Sequence, residues 1–383
     1  MAAALGLSRD DLDALLHSVE SEPTADPVTG TLGFGEWEEI DEVLRRRFLA
    51  ASAASAVAPS FVPDAASELL RPGRPGGQVG AGDVAAVRRM TTVLGDAGSE
   101  FGGGHLLVPT LRYVLDDVQR FLDGDAGRHR RDLDAAASEI TQLAAWMAQD
   151  AGRDDLAADL YWKANSLGND ACDPELAATA LRGLASMAGE KREFAEAVRL
   201  AEQAVDTAGS LDHPKARAYY ACSLATAASL DGDKPLALAS LASSQTHIER
   251  AVAAPGSSWA SHYSPGRWAH EAGLILSRVG ELDAAADHMH LSLDIHGLDR
   301  KRTRAMVLAD LGVVRLKQGD VDTAMTTWAE FLECSAAVCS TRITSALKDM
   351  AARLARVGGT DATALRTRAL EKIATIDSGS AAV

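Results

Sequence analysis

The side chains best suited to binding a ligand stand close together in one segment of this sequence. Residues 251–267, AVAAPGSSWASHYSPGR, contain Trp259, His262 and Tyr263, and Trp268 follows directly. Only 5% of the residues are aromatic, yet two of the six tryptophans fall here. Aromatic side chains anchor ligands at binding surfaces, and they also fill gaps in irregular cores. The segment therefore indicates either the wall of a ligand groove or a structural plug.

Two residues from earlier in the chain are candidates for the same groove. Tyr220 and Arg182 lie in segments that we assign below to the first helices of repeating units. First helices of successive units line the concave side of a superhelical array, and the guanidinium of Arg182 could pair with an acidic group. The predicted ligand site is therefore Trp259, His262, Tyr263, Trp268, Tyr220 and Arg182.

Catalytic motifs are absent from the sequence. It contains no GxSxG, no GxxxxGK and no CxxC, and the glycines of GFGEW at 33–37 and EFGGGH at 100–105 lack a preceding strand. His288 and His290 stand two residues apart, so on a helix they point roughly 200° apart and do not form a metal site. We therefore expect a binding protein without a cofactor or metal, and not an enzyme.

The elements that must position these side chains repeat about every forty residues. Small residues recur at that period, at Ala145, Ala185, Ala225, Gly273, Gly312 and Ala352. An alanine follows each of them twelve residues later, at Ala157, Ala197, Ala237, Ala285, Ala324 and Ala364. A fixed offset between small residues indicates two helices that cross at one close contact. The sequence thus predicts an all-α solenoid of helical pairs.

Helix pairs can be assigned along most of the chain. The pairs are 132–168, 174–209, 214–251, 265–297, 301–337 and 341–375, with turns near Gly152, Gly189, Gly232, Gly280, Gly319 and Gly358–Gly359. Ahead of them we predict a helix from Val84 to Gly95, broken by GSEFGGGH at 98–105, and an amphipathic helix at 106–123. The loop at 251–267 is the one long break in the period.

One unit carries a recognisable repeat pattern. The fifth unit, LADLGVVRLKQGDVDTAMTTWAEF, resembles the tetratricopeptide repeat through Leu308, Leu311, Gly312, Gly319, Val321, Ala324, Trp328 and Phe331. The units here are longer than the usual ~34 residues of that repeat. The resemblance implies a tetratricopeptide-like, right-handed superhelix whose first helices line the concave groove.

The chain as a whole resembles actinobacterial regulators that join an Xre-type helix-turn-helix domain to a tetratricopeptide array. The similarity lies in ALGLSRDDLDALL at 4–16, RRRFLAASAAS at 45–55 and the SSWASHYSPGRWAHEAG segment before a late repeat. It implies a transcriptional regulator that senses a ligand. The recognition helix that would enter the major groove is not in this sequence. We therefore expect no direct binding of nucleic acid by the chain as written.

These patterns divide the chain into five parts. Residues 1–18 resemble the end of a helix-turn-helix domain, 19–83 form a linker with a helix at 36–58, 84–131 form helices that pack on the array, 132–377 form the repeats, and 378–383 form a disordered tail. Arg45–Leu49 with the following Ala/Ser run also resembles a twin-arginine export signal. An internal helix is the alternative for that segment.

Charge and composition limit the kind of partner. The chain has 54 acidic and 38 basic residues, a formal net charge of -16, which disfavours polyanions. No apolar run is long enough to span a membrane, and four cysteines without a CxxC indicate reduced thiols in the cytoplasm. We expect a peptide, small-molecule or protein ligand in the concave groove, and the sequence leaves room for a homodimer. The alternatives are a protein–protein adaptor without a small ligand and an exported binding protein.

Overall fold

The computed structural model describes residues 77–101, 106–251, 263–295, 301–335 and 341–380. Within these residues the secondary structure is helical, apart from an isolated bridge between Gln78 and Asp125. Contacts divide the chain into two compact units, with the boundary between Leu176 and Ala177. The predicted remnant at 1–18, the helix at 36–58 and the Arg45–Leu49 segment lie outside the described residues.

The first unit contains one helix pair and the helices that precede it. Its helices are α1 (Ala81–Phe101), α2 (Leu107–Tyr113), a π-helical turn (Val114–Val118), α3 (Gln119–Asp123), α4 (Arg130–Asp150) and α5 (Asp154–Asp170). Helices α1 and α2 pack on α4, and α4 packs against α5. The predicted break at residue 98 is wrong, because α1 continues to Phe101. A Cβ at Gly98 would lie 3.1 Å from the Trp146 ring, so this glycine allows close packing instead of ending the helix.

Helix pairs continue through the second unit. They are α6 (Pro174–Glu190) with α7 (Phe194–Thr207), α8 (Pro214–Asp231) with α9 (Lys234–Glu249), α10 (Pro265–Arg278) with α11 (Leu282–Ile295), α12 (Lys301–Lys317) with α13 (Val321–Cys334), and α14 (Thr341–Val357) with α15 (Thr360–Ser380). Each of α7, α9 and α11 packs on the next first helix, and α8, α10, α12 and α14 contact one another in order. The all-α solenoid of helical pairs is confirmed.

The small residues lie where the helices of a pair cross. A Cβ at Gly273 would lie 3.0 Å from the carbonyl oxygen of Ala285, twelve residues on. At Gly312 a Cβ would overlap the indole ring of Trp328. Ala157, Ala197, Ala237, Ala285 and Ala324 are all fully buried. The repeated offset of twelve residues is therefore a repeated close contact between helices.

A second close contact recurs at an offset of 26 residues. Ser138 donates to the carbonyl oxygen of Ala164 across the first pair, at 2.7 Å. In the second unit Ser244 donates to Ala218 O at 2.7 Å, and Ser292 donates to Gly266 O at 2.8 Å. Each serine is buried, so its hydroxyl needs the partner that the opposite helix supplies.

Two details of the predicted register are wrong. Gly189 lies inside α6, and the left-handed residue of that turn is Arg192, with φ of 65°. In the last pair Ala352 and Ala364 are exposed, while Ala351 and Ala362 are buried. Ala351 stands seven residues before Gly358, the distance that also separates Gly312 from Gly319, so Gly358 is the turn residue that matches the other pairs. The buried face of α14 is therefore counted from Gly358 and not from Gly359.

Candidate functional site

The structure describes four of the six residues predicted to bind a ligand. Tyr263, Tyr220 and Trp268 are buried, and Arg182 is partly exposed. Trp259 and His262 lie outside the described residues. All four described residues belong to the second unit, on or next to the first helices α6, α8 and α10.

Trp268 and Tyr220 bind neighbouring helices together. The indole nitrogen of Trp268 donates to Ser244 Oγ on α9 at 3.0 Å, and its ring meets His288 of α11 edge-on, with centroids 5.5 Å apart. The hydroxyl of Tyr220 lies 2.7 Å from Thr179 Oγ1 on α6. Both rings are buried in the core, so they pack between neighbouring helices and do not face solvent.

Tyr219 is the centre of a cluster that joins three first helices. The Cζ atom of Arg182, from α6, lies 4.1 Å from the centroid of the Tyr219 ring. Arg267, from α10, approaches the same ring at 5.4 Å. The Tyr263 ring lies 5.0 Å away, tilted by 55°. Cations over tyrosine rings are attracted by the ring quadrupole, so Tyr219 holds both guanidinium groups in place.

Glu271 connects the cluster through hydrogen bonds. Tyr263 donates its hydroxyl to Glu271 Oε2 at 2.7 Å, and Arg267 Nε donates to Oε1 at 3.1 Å. Arg267 and Glu271 stand four residues apart, on the same face of α10. Ser264 caps this helix by accepting from the Arg267 backbone N–H, and Pro265 starts its first turn. Local sequence therefore brings both charges to the start of α10.

Burial and charge set the protonation of the cluster. Burial raises the pKa of Glu271, but Arg267, Arg182 and the Tyr263 hydroxyl favour its charged form and bring its pKa below the usual value. Burial raises the pKa of Cys222, and the charge of Glu271 adds to that rise. Burial also raises the pKa of Tyr263. Near pH 7 Glu271 is thus ionised, while Cys222 and Tyr263 are neutral.

The charged groups of the cluster reach solvent, whereas its rings do not. The side chain of Arg267 is 45% exposed and that of Glu271 is 23% exposed. Tyr219, Tyr263 and the thiol of Cys222 are buried. Arg182 Nε is buried and has no hydrogen-bond partner in the described part of the chain. Charged groups supported by buried rings are suited to binding a polar ligand, and the buried neutral thiol is not suited to nucleophilic chemistry.

A further polar contact joins α10 to α12. His270 Nε2 lies 2.8 Å from Asp310 Oδ2, and both side chains are partly exposed. Arg182, Cys222 and His270 each stand three residues before the small residue of their unit. Equivalent positions of successive first helices thus form one row. Among the described residues, His, Cys, Asp and Glu side chains form no group that could hold a metal ion.

Sequence reasoning identified Arg182 and Tyr263 but not Tyr219, Arg267 and Glu271 as members of this cluster. A signal for them exists in the repeat register. Tyr219 and Arg267 both stand six residues before the small residue of their unit, and Glu271 follows Arg267 at helical spacing. Weighing each position by its place in the repeat, instead of by aromatic content, identifies them.

No protein-family model and no curated relative matches this chain. In the described segments, every helix is too short or too polar to cross a membrane.

Proposed function

We propose that this protein is a regulatory binding protein that takes a peptide or small molecule on the first-helix face of its second unit. The observation that carries the proposal is the cluster of Arg182, Tyr219, Arg267 and Glu271, contributed by three successive first helices. A ligand bound there would contact α6, α8 and α10 together.

Stability alone is a poor explanation for this cluster. Ion pairs with a partly exposed member, such as Arg267–Glu271, typically contribute only about 0–1 kcal/mol to stability. The surrounding core is built largely from alanine and leucine, so this polar cluster is unlike the packing around it. Neighbouring ionisable groups with shifted pKa values, such as Glu271, Cys222 and Tyr263, are candidates for functional sites. A ligand-binding role gives these polar groups a use.

Regulation would follow from the position of the cluster. A ligand that binds better to one arrangement of the three repeats than to another shifts the population toward that arrangement. The likeness of ALGLSRDDLDALL at 4–16 to the end of an Xre-type domain favours transcriptional control as the output, with the protein acting in the cytoplasm. In that function the repeats sense the ligand and an associated domain or partner carries the response.

Ligand-induced thermal stabilisation tests the proposal. A defined panel of short peptides and small metabolites is screened for a rise in melting temperature of the full chain. The site variant is Arg267→Gln, and the matched control is Arg199→Gln. Arg199 is an arginine of α7 with 49% exposure that pairs with Glu196 on the same helix.

A stabilising compound should lose its effect on Arg267→Gln and keep it on Arg199→Gln. Binding stabilises the folded state by RT ln(1 + [L]/Kd), so the shift should also depend on compound concentration. The proposal fails if every stabilising compound acts equally on both variants, because binding would then lie elsewhere.

A further inference from the structure

The cluster has an excess of positive charge on an acidic protein. Arg182 and Arg267 both lie against Tyr219, and one carboxylate, Glu271, is bound to Arg267. Cys222 and Tyr263 are neutral near pH 7 because burial raises the pKa of each. The described cluster therefore carries two positive charges and one negative charge, although the whole chain has a net charge of -16.

Arg182 has hydrogen-bonding capacity that the cluster does not use. A guanidinium carries five N–H donors in a fixed planar arrangement. Glu271 accepts from Arg267 and Tyr263, while Arg182 Nε is buried without a partner among the described residues. A buried donor left without a partner costs free energy. That cost is recovered when an acceptor binds beside the guanidinium.

The geometry of Arg182 is held by its neighbours. Its guanidinium lies 4.1 Å from the Tyr219 ring centroid, and Tyr219 packs against the Tyr220 and Tyr263 rings at 5.6 Å and 5.0 Å. Tyr220 is in turn bound to Thr179 of α6, the helix that carries Arg182. Groups that are already ordered lose little conformational entropy when a ligand binds.

We propose that Arg182, with Arg267 beside it, is an anion-binding site that receives one carboxylate or phosphate group of the ligand. The two oxygens of such a group match the paired N–H donors of arginine. Glu271 stays bound to Arg267 and Tyr263 and prevents a second anion from binding. The inference deepens the proposed function, since it names the chemical group by which the ligand is held.

Side-chain NMR of arginine in the full chain tests the inference directly. The Nε–H signals are followed during titration with sodium acetate and, separately, with inorganic phosphate, while chloride keeps the ionic strength constant. Arg182 is assigned by the signal that disappears in Arg182→Lys. We expect a saturable shift of the Arg182 signal, and the anion with the lower Kd identifies the group as carboxylate or phosphate.

Two variants complete the test. Arg182→Gln should raise the Kd of the preferred anion by about tenfold or more, since charge-assisted hydrogen bonds are lost. Arg199→Gln should leave that Kd unchanged. If Arg182→Gln does not fold, the wild-type titration and the Arg267→Gln variant test the site instead. Arg267→Gln removes the neighbouring positive charge and should also raise the Kd of the preferred anion. A linear shift of Arg182, no different from that of the exposed Arg199, overturns the inference.

The two proposals can fail separately. If acetate or phosphate saturates Arg182 but no compound of the panel stabilises the chain through Arg267, the anion site stands and the proposed function falls. If uncharged compounds stabilise the chain through Arg267 and the Arg182 signal ignores anions, the proposed function stands and the anion site falls.

Discussion

Gly312→Ala should destabilise the second unit, although it adds only one methyl group to a helix. Glycine in a helix interior ordinarily costs about 0.5–1 kcal/mol relative to alanine, so helix propensity favours the substitution. The new Cβ would overlap the indole of Trp328, however, which is fully buried and donates its N–H to the carbonyl oxygen of Ala309 at 3.1 Å. Overpacking of this kind typically costs about 1–3 kcal/mol. We expect a net loss of roughly 1–2 kcal/mol once the propensity gain is subtracted.

The magnitude is measured by urea unfolding of the full chain, followed by circular dichroism. The matched control is Gly209→Ala, because a Cβ there has no atom within 4 Å. That control should be neutral or slightly stabilising, through a less flexible unfolded chain. Gly312→Leu adds three more carbons to the same space and should cost more than Gly312→Ala.

A double-mutant cycle identifies the cause. Trp328→Ala alone should cost about 3–5 kcal/mol through the cavity that it leaves. In the Trp328→Ala background, Gly312→Ala should cost little or become stabilising, because the overlapping ring is gone. Equal effects of Gly312→Ala in both backgrounds would refute the assigned crossing between α12 and α13.

Two further predictions concern the second unit. Ser244→Ala should cost about 1–3 kcal/mol, because it leaves the buried N–H of Trp268 without an acceptor. Ser292→Ala should cost less in the same urea measurement, because among the described residues the Ser292 hydroxyl bonds only to the carbonyl oxygen of Gly266. Equal losses for the two variants would contradict this account. The pKa of Glu271 is lower in the folded state than its ordinary value of 4.5, so the folded protein is stabilised when this carboxylate is charged. The unfolding free energy of the wild type relative to Glu271→Gln should therefore be greatest at neutral pH. It should decline as the pH falls below 4.5 and through the lower folded-state pKa. A difference in unfolding free energy that grows on acidification would show that Glu271 is not held in its charged form.

Much of the fold could be predicted because its signals are local. Gly273 and Gly312 mark crossings at which a side chain would overlap the partner helix, so small residues must recur there. The register of the last pair could not be read, because Ala351 and Ala352 are equally small neighbours. The buried residue is the one that matches Gly358, and the sequence does not say which glycine of Gly358–Gly359 takes the turn position of the other pairs.

The candidate site was also predictable only in part from the sequence. The sequence alone placed Arg182 and Tyr220 on first helices, through the repeat period, and placed Tyr263 in the loop before another first helix. Only the tertiary structure decided their roles, because the direction of each side chain depends on how three helices pack. Adjacent Tyr219 and Tyr220 point about 100° apart on α8, so Tyr220 binds Thr179 and Tyr219 meets the two arginines. Burial of the rings leaves the charged groups of Arg267 and Glu271 as the solvent-exposed part of the cluster.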